Sequence, residues 1–377
     1  MTNQHTSGIY LHIPFCIQKC NYCDFCSFPR ANPATMEQYT TSLAAELRQT
    51  APAARNAVFD TVYFGGGTPT ILPPAMLTTL LRTVKEFYPL TADTEITLEC
   101  NPATADQAAF AALRAAGFNR LSIGAQSFDD RELSALGRAH NAAAIGETVA
   151  AARRAGFENI SLDLMYGIPH QTKDSFAASL EHAMALDVNH LSVYSLIVEE
   201  GTPFYTRRDT LPLPDEDMLC EMTELLLRVT ATAGYHRYEI SNYAKDGYHS
   251  HHNLHYWNLD DYLGFGPAAH SLWRGVRTGH SRDLAAYLAG DDITEPEEVL
   301  TERAAMDEYV MLRLRLTDGV EKAAFRARFS ADFDALYAHR AAPFLAAGLL
   351  WDDGVRLAFT QRGFDLSNAV LCELIGE

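Results

Sequence analysis

The sequence has few basic residues for its size. Its 377 residues include 30 Lys and Arg against 48 Asp and Glu, which gives a formal net charge of −18. Proteins that bind nucleic acid neutralise phosphates with clustered Lys and Arg, so this balance argues against a nucleic-acid partner. The composition otherwise indicates a globular protein, since 47% of the residues are hydrophobic and 21% are charged.

Long hydrophobic runs are also missing. A membrane-spanning helix needs about 18 or more consecutive apolar residues, and no such run occurs in the sequence. The first residues, MTNQHTSG, lack the basic start and the apolar core of a signal peptide. We therefore expect no transmembrane segment and a cytoplasmic location.

Cysteines are few and unevenly distributed. There are seven, an odd number, and four of them (Cys16, Cys20, Cys23 and Cys26) lie within eleven residues. This distribution does not fit a disulfide framework and indicates a reducing compartment. Unrelated buried cysteines are the alternative explanation. The clustering disfavours that explanation for the first three, whereas Cys26 fits it better.

The segment GIYLHIPFCIQKCNYCDFCSF, residues 8–28, organises the rest of the chain. It places Cys16, Cys20 and Cys23 in a C-x3-C-x2-C array directly after a strand-like run. Sulfur ligands favour iron–sulfur clusters, zinc or Cu(I), but zinc usually takes four ligands and no second pair follows. Three thiolates suit a [4Fe-4S] cluster whose fourth iron is open to a small molecule. The spacing, with Tyr22 before the last cysteine, resembles that of radical S-adenosylmethionine (SAM) enzymes.

Strand-like and helix-like segments alternate from these cysteines to about residue 240. Strands are predicted at residues 9–13, 61–64, 95–99, 120–123, 160–164 and 190–196. Helices are predicted at residues 34–49, 74–88, 104–116, 142–155, 173–185 and 215–233. Three of the helices are followed by a glycine that would cap them (Gly117, Gly156 and Gly234). Six such repeats predict parallel strands joined by right-handed crossovers, in either an open sheet or a barrel.

The ends of the predicted strands favour the barrel. Cysteine, glycine or polar residues stand at the carboxyl end of every strand, where the active site of a β/α barrel is built. We therefore predict an α/β fold with a partial (β/α)6 radical SAM barrel over residues 1–245. Residues 246–295, rich in histidine and aromatics, show no helical or strand period. They are predicted to form a connecting segment, ordered as a loop over the barrel mouth.

The last part of the chain, residues 296–377, predicts a second domain. Helical pattern resumes near Glu302 and continues at residues 321–329 and 332–347. A hairpin is predicted around Asp352, Asp353 and Gly354, followed by a helix at residues 361–374. This order indicates a winged-helix-like domain. On so acidic a protein we expect a lid or an interaction module and not a DNA-binding unit.

Candidate ligand-binding residues follow several of the strands. Gly65–Gly67 lack the Gly-Lys-Ser/Thr ending of a phosphate loop, but glycines let a ligand approach the backbone; a tight turn is the alternative. A buried Glu99 would need a cation, and the SAM ammonium would serve. Asp163 and Gln126 could hold ribose hydroxyls or a second ligand, and Arg138 could pair with a carboxylate. A structural role stays equally open for these three.

A set of motifs carries a family resemblance over nearly the whole chain. They are YLHIPFC, C-x3-C-x2-CDF, YFGGGTPT, ECNP, RLSIGAQSF, LGRAH, DLMYGIP, YEISNYA and HNLHYW. The chain resembles the oxygen-independent coproporphyrinogen III oxidase (HemN)-like radical SAM family, and within it the HemW type of heme chaperone. Compared with the oxidase, few residues precede the first strand, and Phe25 stands where the oxidase has a fourth cysteine.

The resemblance implies roles for individual residues. Cys16, Cys20 and Cys23 would hold the [4Fe-4S] cluster. The contacts to the cluster-bound SAM would come from Tyr10, Gly66 and Glu99. Positions that hold a second SAM in the oxidase are matched by Tyr22, Gly67, Thr68, Gln126, Arg138 and Asp163.

The HNLHYW segment brings heme into the hypothesis, because it matches a motif associated with heme binding in the chaperones. A neutral imidazole is a good axial ligand, so His252 is the first candidate and His255 the second; solvent-exposed loop histidines are the alternative. The resemblance implies a protein that binds heme, a [4Fe-4S] cluster and SAM. It would transfer heme to an apo-hemoprotein such as a respiratory enzyme, with membrane contact only through that acceptor. A coproporphyrinogen III oxidase is the alternative function.

Overall fold

The structure, a computed structural model, describes residues 6–376. Most of the MTNQHTSG start, on which the signal-peptide argument rests, lies outside these residues. The strands of the first half are β1 (Ser7–Ile13), β2 (Phe15–Cys16), β3 (Phe28–Pro29), β4 (Phe59–Gly66), β5 (Leu90–Cys100), β6 (Arg120–Gln126), β7 (Asn159–Tyr166) and β8 (His190–Ser195). The later strands are β9 (His236–Arg237), β10 (Asn242–Ala244), β11 (Tyr262–Phe265), β12 (His270–Trp273), β13 (Val276–Gly279), β14 (Glu298–Val299), β15 (Val320–Glu321), β16 (Leu350–Asp352) and β17 (Arg356–Phe359).

Helices alternate with these strands as predicted over the first half of the chain. They are α1 (Pro33–Ala54), α2 (Pro74–Phe87), α3 (Gln107–Ala116), α4 (Asp130–Leu136), α5 (Ala142–Arg154), α6 (Lys173–Ala185) and α7 (Glu216–Thr232). The remaining helices are α8 (His251–Trp257), α9 (Leu284–Ala289), α10 (Glu302–Arg313), α11 (Lys322–Phe329), α12 (Phe333–Ala346), α13 (Gln361–Asp365) and α14 (Ser367–Ile375). No helix among residues 6–376 combines the length and the apolar composition needed to cross a membrane.

Helix boundaries follow from capping chemistry. Side chains of Asn32, Asp106 and Asn141 accept a hydrogen bond from a backbone amide in the first turn of α1, α3 and α5. Gly117, with φ of 114°, ends α3 in the left-handed conformation that glycine adopts at low cost. Gly156 and Gly234, with φ of 92° and 79°, follow α5 and α7 in the same left-handed conformation, so the three predicted glycine caps are confirmed. Helix α4 was not predicted from the sequence.

A large mixed sheet in the described residues has the strand order β14-β13-β12-β11-β1-β4-β5-β6-β7-β8-β10-β9. The six predicted strands, β1 and β4 to β8, are parallel neighbours in this order. The sheet does not close on itself, so the predicted partial barrel is confirmed. The parallel run is longer than predicted, because β11 pairs in parallel with the outer edge of β1.

The two faces of this sheet have opposite character. Alternate residues of a strand point to opposite faces, and Ile9, Leu11 and Ile13 of β1 are fully buried in one apolar core with Tyr39 and Leu43 of α1. The intervening positions of the strands point into the barrel lumen, and most of them are polar, aromatic or glycine. This polar lumen provides the side chains of the candidate site.

The histidine-rich segment is not the loop that the sequence analysis predicted. It contains α8 and the strands β11, β12 and β13. Helix α8 lies against β1 and β4 near the amino-terminal ends of the barrel strands. The backbone amides of His251 and His252 donate hydrogen bonds to the carboxylate of Glu95 in β5, at 3.2 and 3.1 Å. The position of this helix therefore depends on hydrogen bonds to a distant strand. Such contacts cannot be predicted from the local periodicity of the sequence.

The C-terminal residues pack around a core of their own. Strand β17 pairs antiparallel with both β15 and β16, and the β16–β17 turn is the predicted hairpin. Helices α10, α11 and α12 pack with this small sheet, so the winged-helix-like prediction is confirmed. The predicted final helix is divided at Leu366 into α13 and α14.

Candidate functional site

The loop that follows β1 carries Cys16, Cys20 and Cys23, all of them free and partly exposed. The glycine loop after β4 holds its beginning in place. The amide of Gly67 donates to the carbonyl of Ile13 at 2.9 Å, and the amide of Thr68 donates to the carbonyl of Phe15 at 2.7 Å. These two bonds position Cys16 relative to the end of β4.

Gly67 has a different role from the predicted approach to a ligand. A Cβ atom at this position would lie 2.7 Å from the carbonyl oxygen of Phe15 and 2.9 Å from that of Ile13. The absent side chain therefore makes room for the backbone of the cysteine loop. At Gly66, with φ of 111°, a Cβ atom would lie 2.5 Å from the imidazole of His12.

The three thiols have the surroundings that a cluster needs. Thr68 Oγ1 lies 3.5 Å from Cys16 Sγ, and Arg138 Nη1 lies 3.5 Å from Cys20 Sγ. Burial raises the pKa of the Cys23 thiol to about 11, so the thiolate is costly without a bound cation. Within residues 6–376 no three such side chains converge on a single metal ion. Cluster thiolates ligate different irons, so an iron–sulfur cluster does not require the three sulfurs to converge on one ion.

Cys26 differs from these thiols in its surroundings. It is buried, and its Sγ lies 3.8 Å from the carbonyl oxygen of Arg282. Its own carbonyl oxygen is 2.8 Å from Nε2 of His12. Phe25, which stands at the position of the oxidase's fourth cysteine, is 68% exposed.

A polar network connects the surroundings of Cys16 and Cys20. The Arg138 guanidinium donates to Asn101 Oδ1 at 2.5 Å and to the carbonyl of Gly124 at 2.7 Å. Asn101 in turn donates to Thr68 Oγ1 at 2.7 Å. Arg138 Nη1 also lies 3.5 Å from the hydroxyl of Tyr22. Asn101 was missed as a site residue, although it stands in the ECNP motif, because its role depends on contacts with two distant loops.

Glu99 forms an acidic centre at the same end of the lumen. Its carboxylate accepts hydrogen bonds from the hydroxyl of Tyr63 at 2.8 Å and from the amide of Gly66 at 3.0 Å. Burial raises the pKa of Glu99 to about 7, although both hydrogen bonds oppose the rise. A cationic ligand would stabilise the charged form, so this carboxylate could receive an ammonium group.

Two more predicted residues lie deeper among β6 and β7. Asp163 accepts a hydrogen bond from Ser122 at 3.0 Å, and burial raises its pKa to about 6. Gln126 is buried at an irregularity of the β6–β7 pairing and has φ of 68°. Tyr10 lies on β1, where its hydroxyl is 3.0 Å from Nδ1 of His12.

The two candidate heme ligands lie on α8, against β1 and β4, and Tyr63 links His252 to Glu99, because its ring stacks on His252 and its hydroxyl donates to Glu99. His252 is 1% exposed, with Nδ1 2.8 Å from Thr61 Oγ1 and Nε2 2.9 Å from the hydroxyl of Tyr256. Its ring stacks on Tyr63 at a centroid distance of 5.0 Å. Both ring nitrogens therefore have partners, so His252 is not available to a heme iron in this conformation. The alternative of an exposed loop histidine is wrong for this residue.

His255 is also engaged. Its Nε2 lies 2.7 Å from a carboxylate oxygen of Asp60, and its Nδ1 lies 3.4 Å from one of Asp260. Burial disfavours the charged ring, but the hydrogen bonds to Asp260 and Asp60 prevail and raise the pKa of His255 to about 9. An imidazolium has no lone pair for iron, so His255 serves as an ion-pair partner in this structure.

Comparisons with known proteins agree with this architecture. The Radical SAM superfamily domain matches residues 10–183, and the HemN C-terminal domain matches residues 300–366. Coproporphyrinogen III oxidase (HemN) of Escherichia coli, a radical SAM enzyme, superposes with a TM-score of 0.87 at 23% identity, covering 99% of this chain and 91% of that one. The fold and the cysteine loop thus define a radical SAM protein with a HemN-type C-terminal domain.

Relatives with higher sequence identity narrow the class. The protein named heme chaperone HemW in Bacillus subtilis is 36% identical over 98% of this chain and 99% of its own length. The HemW of Mycobacterium tuberculosis is 37% identical over 98% of this chain and 95% of its own. The chain belongs to the HemW family.

Proposed function

We propose that this chain is a heme chaperone that binds heme, a [4Fe-4S] cluster and SAM, and that transfers the heme to apo-hemoproteins. The observation that carries the proposal is the cysteine loop. Its three partly exposed thiols are held against the glycine loop, in a chain whose full-length relatives are named heme chaperones. We further propose that the chain acts in the cytoplasm on acceptors such as respiratory enzymes.

Cys16, Cys20 and Cys23 would hold the cluster, which when bound would supply an iron without a cysteine ligand, open to SAM. Glu99 would receive the SAM ammonium, because its carboxylate is half-buried, lies at the end of β5 and forms no salt bridge with another described residue. Gly66 and Tyr10 line the same end of the lumen. The positions of a second SAM in the oxidase are matched here by Tyr22, Gly67, Thr68, Gln126, Arg138 and Asp163. Three of these residues are already hydrogen-bonded within the protein: Gly67 to Ile13, Thr68 to Phe15 and Asn101, and Arg138 to Asn101. We therefore restrict the proposal to the SAM at the cluster.

A coproporphyrinogen III oxidase is the second candidate, favoured by the fold similarity to HemN. The position of Cys26 supports the chaperone instead, because its thiol is buried and lies 3.8 Å from the carbonyl oxygen of Arg282, and Phe25 provides no sulfur. A chaperone transfers heme, whereas an oxidase forms protoporphyrinogen. Both activities can be measured on one preparation of the protein.

The test uses full-length protein with its cluster reconstituted under anaerobic conditions. Titration with hemin should show about one heme per chain. Mixing the heme-loaded protein with the apo form of a b-type respiratory hemoprotein should move the heme to the acceptor, as seen from the acceptor's own absorption bands. Incubation with coproporphyrinogen III, SAM and a reductant should give no protoporphyrinogen. Protoporphyrinogen formation without heme binding would replace the chaperone proposal with the oxidase.

A further inference from the structure

A cleft of about 850 Å³ lies outside the barrel, between α1 and the strands β11 to β13. Volumes of roughly 300–1,000 Å³ are typical of sites that enclose ligands of drug or cofactor size. Small side chains of α1, among them Ala45 and Ala53, form one wall. Trp273, Val276 and Tyr287 contribute aromatic and aliphatic surface to the others. None of the candidate cluster, SAM or heme ligands predicted from the sequence lines this cleft.

One histidine of the cleft, His280, has a defined tautomer. Its Nδ1 lies 3.0 Å from the carbonyl oxygen of Gly266. A carbonyl oxygen only accepts, so this hydrogen bond requires the proton on Nδ1. In the neutral ring Nε2 then carries the lone pair. No hydrogen bond within residues 6–376 involves this Nε2, and the residue is 19% exposed.

A half-buried carboxylate supports the same ring. Glu46 of α1 accepts a hydrogen bond from the hydroxyl of Tyr287 at 2.6 Å and one from the amide of Gly266 at 3.1 Å. Its other oxygen lies 3.6 Å from Nδ1 of His280. A metal-ligating histidine typically donates its second ring N–H to a backbone carbonyl or a carboxylate, which fixes the ring and raises its basicity. His280 has both kinds of partner.

We propose that this cleft binds heme, with Nε2 of His280 as an axial ligand to the iron. The inference rests on the proposed heme-chaperone function and locates its heme site. It also resolves the difficulty at α8, where both nitrogens of His252 are bonded and His255 is paired with two carboxylates. Aromatic and aliphatic side chains beside one histidine can receive a porphyrin face and its iron, and the cleft provides both among its mixed lining.

The charges around the cleft indicate the orientation of the bound porphyrin. Arg274 lines the cleft, is exposed, and lies over the ring of Trp273 at 5.6 Å. It could pair with a propionate. Asp291, Asp292 and Glu297 also line the cleft and would repel propionates. We therefore expect the propionates to point toward Arg274, and Arg274→Glu to weaken heme binding.

The chain connects this cleft directly to the cysteine loop. Two residues beyond His280, the guanidinium of Arg282 pairs with Asp24 at 3.1 Å. The carbonyl oxygen of Arg282 lies 3.8 Å from Cys26 Sγ. Heme ligation at His280 would thus act on a segment that contacts the loop carrying the three proposed cluster ligands.

The test compares hemin titrations of full-length, cluster-reconstituted proteins, recorded as difference spectra against the heme-free sample. His280→Ala should lose the Soret band position of the wild type and bind heme at least tenfold more weakly. Glu46→Gln should weaken binding on the order of tenfold, as loss of a supporting carboxylate does. His270→Ala is the matched control, because His270 is an exposed histidine on the neighbouring strand and does not line the cleft.

A second variant protects the test against misfolding. Ala53 is exposed, so Ala53→Trp should fill the cleft without touching His280 or the core, and heme binding should fall. Circular dichroism and iron content should match the wild type in every variant. If the wild type binds heme and both His280→Ala and Ala53→Trp bind it equally well, the cleft is not the site, although the chaperone function stands. If the wild type binds no heme, the proposed function itself fails.

Discussion

Binding of SAM should weaken as the pH falls through 7, because it needs the ionised form of Glu99. The pKa of this carboxyl is raised to about 7 by burial. In the free protein it would be about half ionised at pH 7 and about one-eleventh ionised at pH 6. The ligand's α-ammonium group, with a pKa of about 7.7–8.0, stays charged over this interval. The apparent Kd should therefore rise about fivefold from pH 7 to pH 6.

Tyr63→Phe should weaken SAM binding at pH 7 and make its pH dependence steeper. The Tyr63 hydroxyl donates to Glu99 at 2.8 Å, and this bond lowers the pKa of the carboxyl. A hydrogen bond to a charged group contributes roughly 1.5–3 kcal/mol, so its loss should raise that pKa by about one unit or more. At pH 7 the variant should bind SAM about fivefold more weakly than the wild type. Between pH 7 and pH 6 its affinity should fall about ninefold instead of fivefold.

Isothermal titration calorimetry with SAM, on cluster-reconstituted protein between pH 6 and pH 7, measures these changes. Tyr88→Phe is the matched control, because the buried Tyr88 hydroxyl also donates at 2.8 Å, but to the carbonyl of Leu47 outside the lumen. It should bind SAM as the wild type does at every pH. A wild-type Kd that is constant over this interval would refute the assignment of Glu99 as the ammonium partner.

The remaining predictions concern the cluster, the glycine loop and the ion pair of α8. Replacing any one of the three proposed ligand cysteines by Ala should abolish the absorbance near 400 nm, whereas Cys26→Ala should leave it; loss of the cluster in that last variant would refute the three-ligand arrangement. Gly67→Ala should lower cluster occupancy and SAM affinity together, because its Cβ meets the backbone of the cysteine loop; normal iron content would contradict this account. The raised pKa of His255, about 9 against about 6.5 when unfolded, stabilises the fold below pH 6.5, and this stabilisation is lost as the pH rises through 9. Denaturant titrations at pH 6.5 and 9.5 should show the stability advantage over His255→Asn shrinking by about 3 kcal/mol, and parallel profiles would contradict it.

The strands and helices of the barrel could be predicted from local sequence patterns, because burial of a strand face and capping of a helix each require particular residue types at nearby positions. A strand with one face against helices must place apolar residues there, as β1 does with Ile9, Leu11 and Ile13. A helix must satisfy its first amides, as Asn32 and Asp106 do for α1 and α3. These constraints are visible in the sequence without knowledge of distant contacts. The observed strands extend a few residues beyond the predicted ones, since pairing continues past the most hydrophobic positions, except for β8, which ends one residue earlier than predicted.

The role of Gly67 could not be obtained in this way. The triple glycine permits close approach, but the sequence does not say whether a ligand or another backbone approaches. In the structure, the carbonyl oxygens of Ile13 and Phe15 lie closest to this position, so another backbone approaches it. Asn101 and Thr68 show the same limit, because their bonds join loops that are 33 residues apart in the chain. Tertiary contact, and not local pattern, assigns such residues.

The histidines of HNLHYW show why residue type alone misleads. Imidazole, aromatic rings and an accessible loop are what a heme site needs, and the sequence offers all three between His249 and Trp257. Folding places the segment in a helix whose polar groups meet Thr61, Asp60 and Glu95 from two barrel strands. Hydroxyl partners occupy both ring nitrogens of His252, and the carboxylates keep His255 protonated, so neither ring offers a free lone pair to a heme iron. His280 is the opposite case. No motif of the sequence marks it, but its Nδ1 proton is fixed by a hydrogen bond and its Nε2 is unbonded at an open cleft. The bonding state of each ring nitrogen, which only the fold determines, is therefore the better criterion for an axial ligand than the density of histidines in the chain.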